Sequence, residues 1–240
     1  MELKLWLPIL IVFGMAESLG TSKDWSIKVP SKIPVLQGSC VDIPCRYKYP
    51  KTKKILNRWR GFWKRGNTLV ASSFPSLKLT DEFHKRTRMS GYLQSGNCSW
   101  QLFGVRTTDT GPFHFRIELP QHKSNSFLKN MVTLNVFRVP APPIMTVAVQ
   151  DKVTATCTVT HVCPSSPPKF SWNHYGKRET KSKKPANKWL WKTTSTLTFT
   201  PEESDFNKPI ICTVTFFGRK TTKGSVIPSR RRVTKYGVNI

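Results

Sequence analysis

Hydrophobic and polar positions alternate in short runs along this chain, and Pro, Gly, Ser or Asn breaks each run after a few residues. The first set is Ser26-Ile27-Lys28-Val29, Cys40-Val41-Asp42-Ile43, Trp100-Gln101-Leu102-Phe103, Phe113-His114-Phe115-Arg116-Ile117-Glu118 and Val132-Thr133-Leu134-Asn135-Val136. A second set lies at 153–159, 169–172, 195–200 and 210–214. Period-two alternation in β-branched and aromatic residues predicts strands, and no stretch carries the 3.6-residue period of a helix. The expected fold is all-β, two tandem sandwiches over 21–139 and 140–228 with a basic tail at 229–240. Val139-Pro140-Ala141-Pro142-Pro143 reads as a stiff linker between them.

Residues 1–20 are different in kind. One Lys precedes an apolar run from Leu5 to Ala16, small residues stand at Gly14 and Ala16, and the chain turns polar at Glu17, the pattern of a secretory signal peptide. No later stretch is long and apolar enough to span a bilayer, so the remainder is expected outside the cell. An oxidising compartment makes disulfides the default for Cys40, Cys45, Cys98, Cys157, Cys163 and Cys212. Six cysteines allow fifteen pairings, and spacing does not choose among them, although Cys45 to Cys98 and Cys157 to Cys212 are nearly equal intervals. A zinc knuckle is disfavoured because the compartment is oxidising and only one pair, Cys40 and Cys45, comes near its short gap.

The chain has 240 residues, with 39 Lys+Arg against 13 Asp+Glu for a net charge of +26. A hydrophobic fraction of 38% with eight Trp and fourteen Phe is too rich for a disordered basic tail. There is no nucleophile elbow, phosphate loop or His-Glu metal helix, and the five His do not cluster with carboxylates, so neither an enzyme nor a cofactor is expected. The charge would attract polyanions such as heparan sulfate. The basic runs Lys51-Thr52-Lys53-Lys54, Lys181-Ser182-Lys183-Lys184 and Arg230-Arg231-Arg232 read as solvated loop charge, without the aromatic interleaving of a nucleic-acid groove.

In the second unit Cys157, Trp172 and Cys212, with Ser204-Asp205-Phe206 before the last, form the Cys…Trp…Cys arrangement of an immunoglobulin domain. The usual corner tyrosine is replaced by Ile210. In the first unit Asp109-Thr110-Gly111-Pro112-Phe113-His114-Phe115 has the shape of the approach to strand F, but Phe115 stands where the cysteine would be. The inter-sheet disulfide therefore cannot form there. Cys98 lies on the preceding strand, so a Cys45–Cys98 bridge would join strands of one sheet and let the two sheets sit further apart. Cys40 and Cys163 are left, one per unit, and a link between them would clamp the sandwiches together. Trp63 is expected as the core tryptophan of strand C, with Trp59 the alternative by spacing.

Because side chains alternate across a strand, His114 and Arg116 should point outward if Phe113 and Phe115 point inward. By position alone Arg116 could be one more solvated base. However, Asp24 to Pro30, Gln37 to Pro50, Gly61-Phe62-Trp63, Asn97-Cys98-Ser99 and Asp109 to Glu118 together resemble the sialic-acid-binding immunoglobulin-like lectins, or Siglecs. The likeness continues in His161-Val162-Cys163-Pro164 and 193–201, where it is closest to the branch of the B-cell sialic-acid receptor and myelin-associated glycoprotein.

This resemblance implies a variable-type domain followed by a constant-like one, and calcium-independent binding of sialylated glycoproteins or glycolipids. It implies that Arg116 pairs with the sialic acid carboxylate and that Trp25, on strand A, lies against the N-acetyl methyl. Phe127 is the candidate for the glycerol chain, with Leu128 one residue away by counting, and Asn125, Ser126 and Phe127 would supply main-chain bonds. Arg86 with Asp109 resembles the structural ion pair of variable-type domains. His114 is either an exposed polar residue or an added positive charge in acidic compartments. Asn97-Cys98-Ser99 is a formal N-glycosylation sequon. Relatives of this kind are single-pass membrane receptors with further domains. The competing functions are glycan-independent adhesion or receptor pairing, and polyanion binding.

Overall fold

A computed structural model describes residues 25–50, 52–120, 122–184 and 189–229. The signal segment and tail residues 230–240 lie outside them, as does Lys51 of the first basic run. The described chain is two immunoglobulin-like β-sandwiches, interrupted by short 3-10 turns at Leu93–Ser95 and Glu203–Asp205.

The first unit contains β1 (Ser26–Lys28), β2 (Lys32–Leu36), β3 (Val41–Ile43), β4 (Arg46–Lys48), β5 (Arg60–Arg65), β6 (Thr68–Ser72), β7 (Thr87–Met89), β8 (Trp100–Leu102), β9 (His114–Glu118), β10 (Ser124–Ser126) and β11 (Thr133–Phe137). One face is the four-stranded sheet β10-β9-β5-β6; the other is β3-β8-β7, extended by the β1-β4 pair. β11 runs parallel to β2. As the register expects, Cys45–Cys98 is a bridge within one sheet, its Cα atoms 4.8 Å apart, beside the β3–β8 pairing. The inter-sheet space that a cystine would occupy holds aromatic rings instead. Trp63 packs 5.5 Å from Trp100 and 5.6 Å from Phe115, and Trp100 lies 5.4 Å from Phe113, all four fully buried. Such rings need more width than a disulfide and contribute their burial in return. Trp63 is the core tryptophan, its Nε1–H donating to the Cys98 carbonyl at 2.8 Å, whereas Trp59 is half-buried near the surface.

The second unit contains β12 (Ile144–Val149), β13 (Val153–His161), β14 (Lys169–Trp172), β15 (Lys177–Lys183), β16 (Trp191–Phe199), β17 (Ile210–Thr215) and β18 (Thr221–Val226). Its sheets are β12-β13-β16-β15 and β14-β17-β18, stapled by Cys157–Cys212 with Cα atoms 6.3 Å apart. Trp172 is buried and donates from Nε1 to Ser195 Oγ at 3.1 Å. Lys181, Ser182 and Lys183, read from the sequence as loop, belong to β15 instead. The charged, Lys-rich sequence of β15 lacks apolar alternation because it is an exposed edge strand whose one neighbour is β16.

The units are joined by more than the proline-rich linker. Cys40–Cys163 bridges them with Cα atoms 5.4 Å apart. Beside it the Asp42 N–H donates to the Val162 carbonyl at 2.9 Å, and Ser165 Oγ donates to Asp42 Oδ1 at 3.2 Å. Gly218, at φ +83°, presses so close to Gly38 that a Cβ would lie 2.2 Å from the Gly38 carbonyl oxygen.

Candidate functional site

The site is organised by β9, flanked by β10 and β5. Arg116 lies opposite Ser126 on β10 and opposite Phe62 on β5, so these three side chains share the outer face of the sheet. Arg116 does point outward, with 36% of its side chain exposed, but it is not unattended. Its Nε–H donates to Glu118 Oε1 at 2.9 Å, and Nη1 donates to Ser126 Oγ at 3.0 Å. Glu118, two residues on, is on the same face by strand alternation. Among the described residues Nη2 has no hydrogen-bond partner. The guanidinium is thus clamped on its Nε and Nη1 positions and presents Nη2, together with the second Nη1 proton, to an incoming anion.

The β9–β10 register also decides which main-chain groups are available. The Phe127 N–H donates to the Phe115 carbonyl at 2.9 Å, which makes Phe127 and Phe115 a hydrogen-bonded pair. By antiparallel alternation Asn125 with Ile117 is another such pair, and Ser126 with Arg116 is a non-bonded pair with close side chains. β10 is the edge of its sheet, so the Ser126 N–H faces away from β9. Of the three residues expected to supply main-chain bonds, Ser126 is the one whose N–H faces away from β9; the N–H groups of Asn125 and Phe127 turn toward it.

Trp25 stands immediately before β1 and is half-buried. Its ring lies 6.2 Å from Phe127, edge to face, and 6.5 Å from Tyr49, which in turn lies 5.1 Å from Trp59. Phe127 itself is only 6% exposed and stacks on Phe115 at 6.2 Å. Phe127, the candidate for the glycerol chain, faces the core, and its ring packs against Trp25. Leu128, 55% exposed, is the apolar side chain at the surface.

His114 also departs from expectation. It shares the outward side of β9 but is only 7% exposed, opposite Lys64. Burial, with the neighbouring charges of Lys64 and Arg116, pushes its pKa below the ordinary histidine value, so it resists acquiring charge instead of supplying it. Arg86 is structural: it bonds Asp109 Oδ2 at 2.5 Å, and Asp109, fully buried, also accepts from the Arg106 N–H at 2.7 Å. Asn97 is half-buried, its Oδ1 accepting from Ser99 Oγ at 2.7 Å and from the Ser99 N–H at 3.1 Å.

Sequence reasoning passed over Glu118, Phe62 and the Ser126 hydroxyl. The Arg116-x-Glu118 spacing was a legible signal for the first. Phe62 is an apolar residue at an outward position that becomes meaningful only once β5 is paired beside β9.

Comparison with known proteins places these features in context. Residues 138–219 match the model of the CD80-like C2-set immunoglobulin domain. Mouse myeloid cell surface antigen CD33 is 28% identical over 229 residues, covering 91% of this chain and 55% of its own length. Human sialic acid-binding Ig-like lectin 16 is 26% identical over 231 residues, covering 88% of this chain and 46% of its own. The homologues thus include Siglecs and CD33, and the chain spans about half the length of these two relatives. Among solved structures, bovine butyrophilin aligns with 86% of this chain and 99% of its own at 14% identity and a TM-score of 0.38, too loose a likeness to bear on function.

Proposed function

We propose that the first unit is a sialic-acid-binding lectin domain of the Siglec type, acting outside the cell on sialylated glycoproteins or glycolipids. The observation that carries this reading is Arg116, held outward on the central strand β9 with a donor edge left open. A planar guanidinium with two outward N–H groups matches a carboxylate, each charge-assisted hydrogen bond contributing about 1.5–3 kcal/mol. Trp25 supplies the aromatic surface for the N-acetyl methyl, Leu128 the apolar contact for the glycerol chain, and Ser126 the edge N–H. The second-unit motifs favour the branch of the B-cell sialic-acid receptor and myelin-associated glycoprotein.

One such sugar is held at about the millimolar level, roughly −4 kcal/mol, so adhesion depends on many copies. A glycan array of the two-unit protein beside Arg116→Ala tests the reading. Sialosides should be retained by the wild type and lost by the variant, with both giving the same circular dichroism spectrum. Equal sialoside binding by the variant would overturn the assignment.

A further inference from the structure

The outward face of the sheet β12-β13-β16-β15 carries a second, unrelated pattern. Its inner face buries Cys157, Val159 and Leu197, so the alternate residues look out. On β13 these are Thr154, Thr156 and Thr160, with Thr158 on the same side but only 8% exposed. At the β15 edge they are Lys177, Glu179, Lys181 and Lys183, and Lys183 stands directly opposite Lys192 of β16. A hydroxyl-covered sheet thus ends in a cationic border.

Glu179 is the one acid in this border. Lys177 Nζ lies 3.1 Å from its Oε1 and Lys181 Nζ 3.6 Å from its Oε2, and these lysines hold its pKa below the ordinary carboxylate value. The four lysines exceed it by three charges. Lysines on an edge strand also discourage edge-to-edge pairing, but that does not account for Lys192, which lies on the inner neighbour. Two like charges directly across from each other reduce stability. An anion bound between them removes that cost.

We propose that this face binds a sulfated linear polysaccharide, with sulfates at Lys177, Lys181, Lys183 and Lys192 and threonine hydroxyls donating alongside. The lysine row spans about 20 Å, enough for several sulfates in succession. The outward positions of these strands carry no aromatic side chain for base stacking, and their one large apolar residue, the exposed Ile144 on the far strand β12, is too little to seat the face in a bilayer, which favours a polysaccharide over nucleic acid or membrane. The site is independent of Arg116.

The test is binding of the full chain to heparin over a salt series, comparing the triple variant Lys181→Gln, Lys183→Gln, Lys192→Gln with the equal-charge control Lys169→Gln, Lys208→Gln, Lys223→Gln on the opposite side of the unit. The face variant should bind about tenfold or more weakly, and its salt slope should be shallower by about one per lysine removed. The control should stay within about twofold of wild type, and desulfated heparin should not distinguish the two variants. Equal losses in both variants would reduce the effect to bulk charge and overturn the proposal. So would tighter binding of poly(dT), or of phosphatidylserine vesicles, than of heparin at the same face. Sialoside binding is measured in parallel and should be unchanged in both variants, which separates this result from any failure at Arg116.

Discussion

Glu118 offers a quantitative test of the lectin reading. Its carboxylate holds the Nε side of Arg116 at 2.9 Å, with both side chains about one-third exposed. Glu118→Gln keeps an oxygen to accept the Nε–H and so keeps the arginine in place, but removes the negative charge. A ligand carboxylate on the Nη edge would lie about 6 Å from that charge across the guanidinium. With an effective dielectric of about 40, between the surface-pair and bulk values, the repulsion is about 1.4 kcal/mol; a Debye length of about 8 Å at physiological salt halves it to about 0.7 kcal/mol. Neutralising Glu118 should therefore tighten a methyl sialoside about threefold. The Kd is read from an NMR titration of the isotope-labelled protein, repeated near 0.5 M salt, where the gain should fall below about twofold. Glu118→Ala, which removes the hydrogen bond as well, should bind more weakly than the Gln variant because the arginine loses its clamp. An unchanged or weaker Kd for Glu118→Gln, or a gain indifferent to salt, would show that the geometry has been misread.

Two further outcomes concern stability. Burial brings His161 down to about 4, so between pH 6.5 and 4 the unfolded chain takes up a proton that the folded one refuses. This stability is present above pH 6.5 and declines on acidification, by about 2 kcal/mol at pH 5 and about 3 kcal/mol in full. Thermal unfolding of wild type and His161→Gln at pH 7.5 and 5.0 checks this; a wild-type drop no larger than the variant's would contradict it. Asp109→Ala removes the buried partner of Arg86 and should cost about 3–5 kcal/mol in urea unfolding. A loss below about 1 kcal/mol would mean that the carbonyls of Glu82 and Gly104, at 2.9 and 2.8 Å, suffice to satisfy the arginine.

Much of this protein is local in origin and was legible as such. Period-two alternation placed β9 and β13 and sent Arg116 outward, because a strand's side chains change face at every residue whatever it packs against. Phe115 in the cysteine position excluded an inter-sheet disulfide, and the structure fills that space with Trp63, Trp100 and Phe113. Other features depend on which strands become neighbours. The same parity that aims Arg116 outward decides between Phe127 and Leu128, but only after the length of the β9–β10 connection fixes the register; a slip of one residue exchanges core for surface. His114 passed as an exposed residue because its covering, opposite Lys64, comes from across the sheet. The lysines of β15 looked like loop charge because an edge strand can be held by main-chain bonds that leave little mark on side-chain pattern. Alternation within a strand follows from backbone geometry and is written residue by residue, whereas pairing between strands is a choice among distant segments, made by packing the whole core at once.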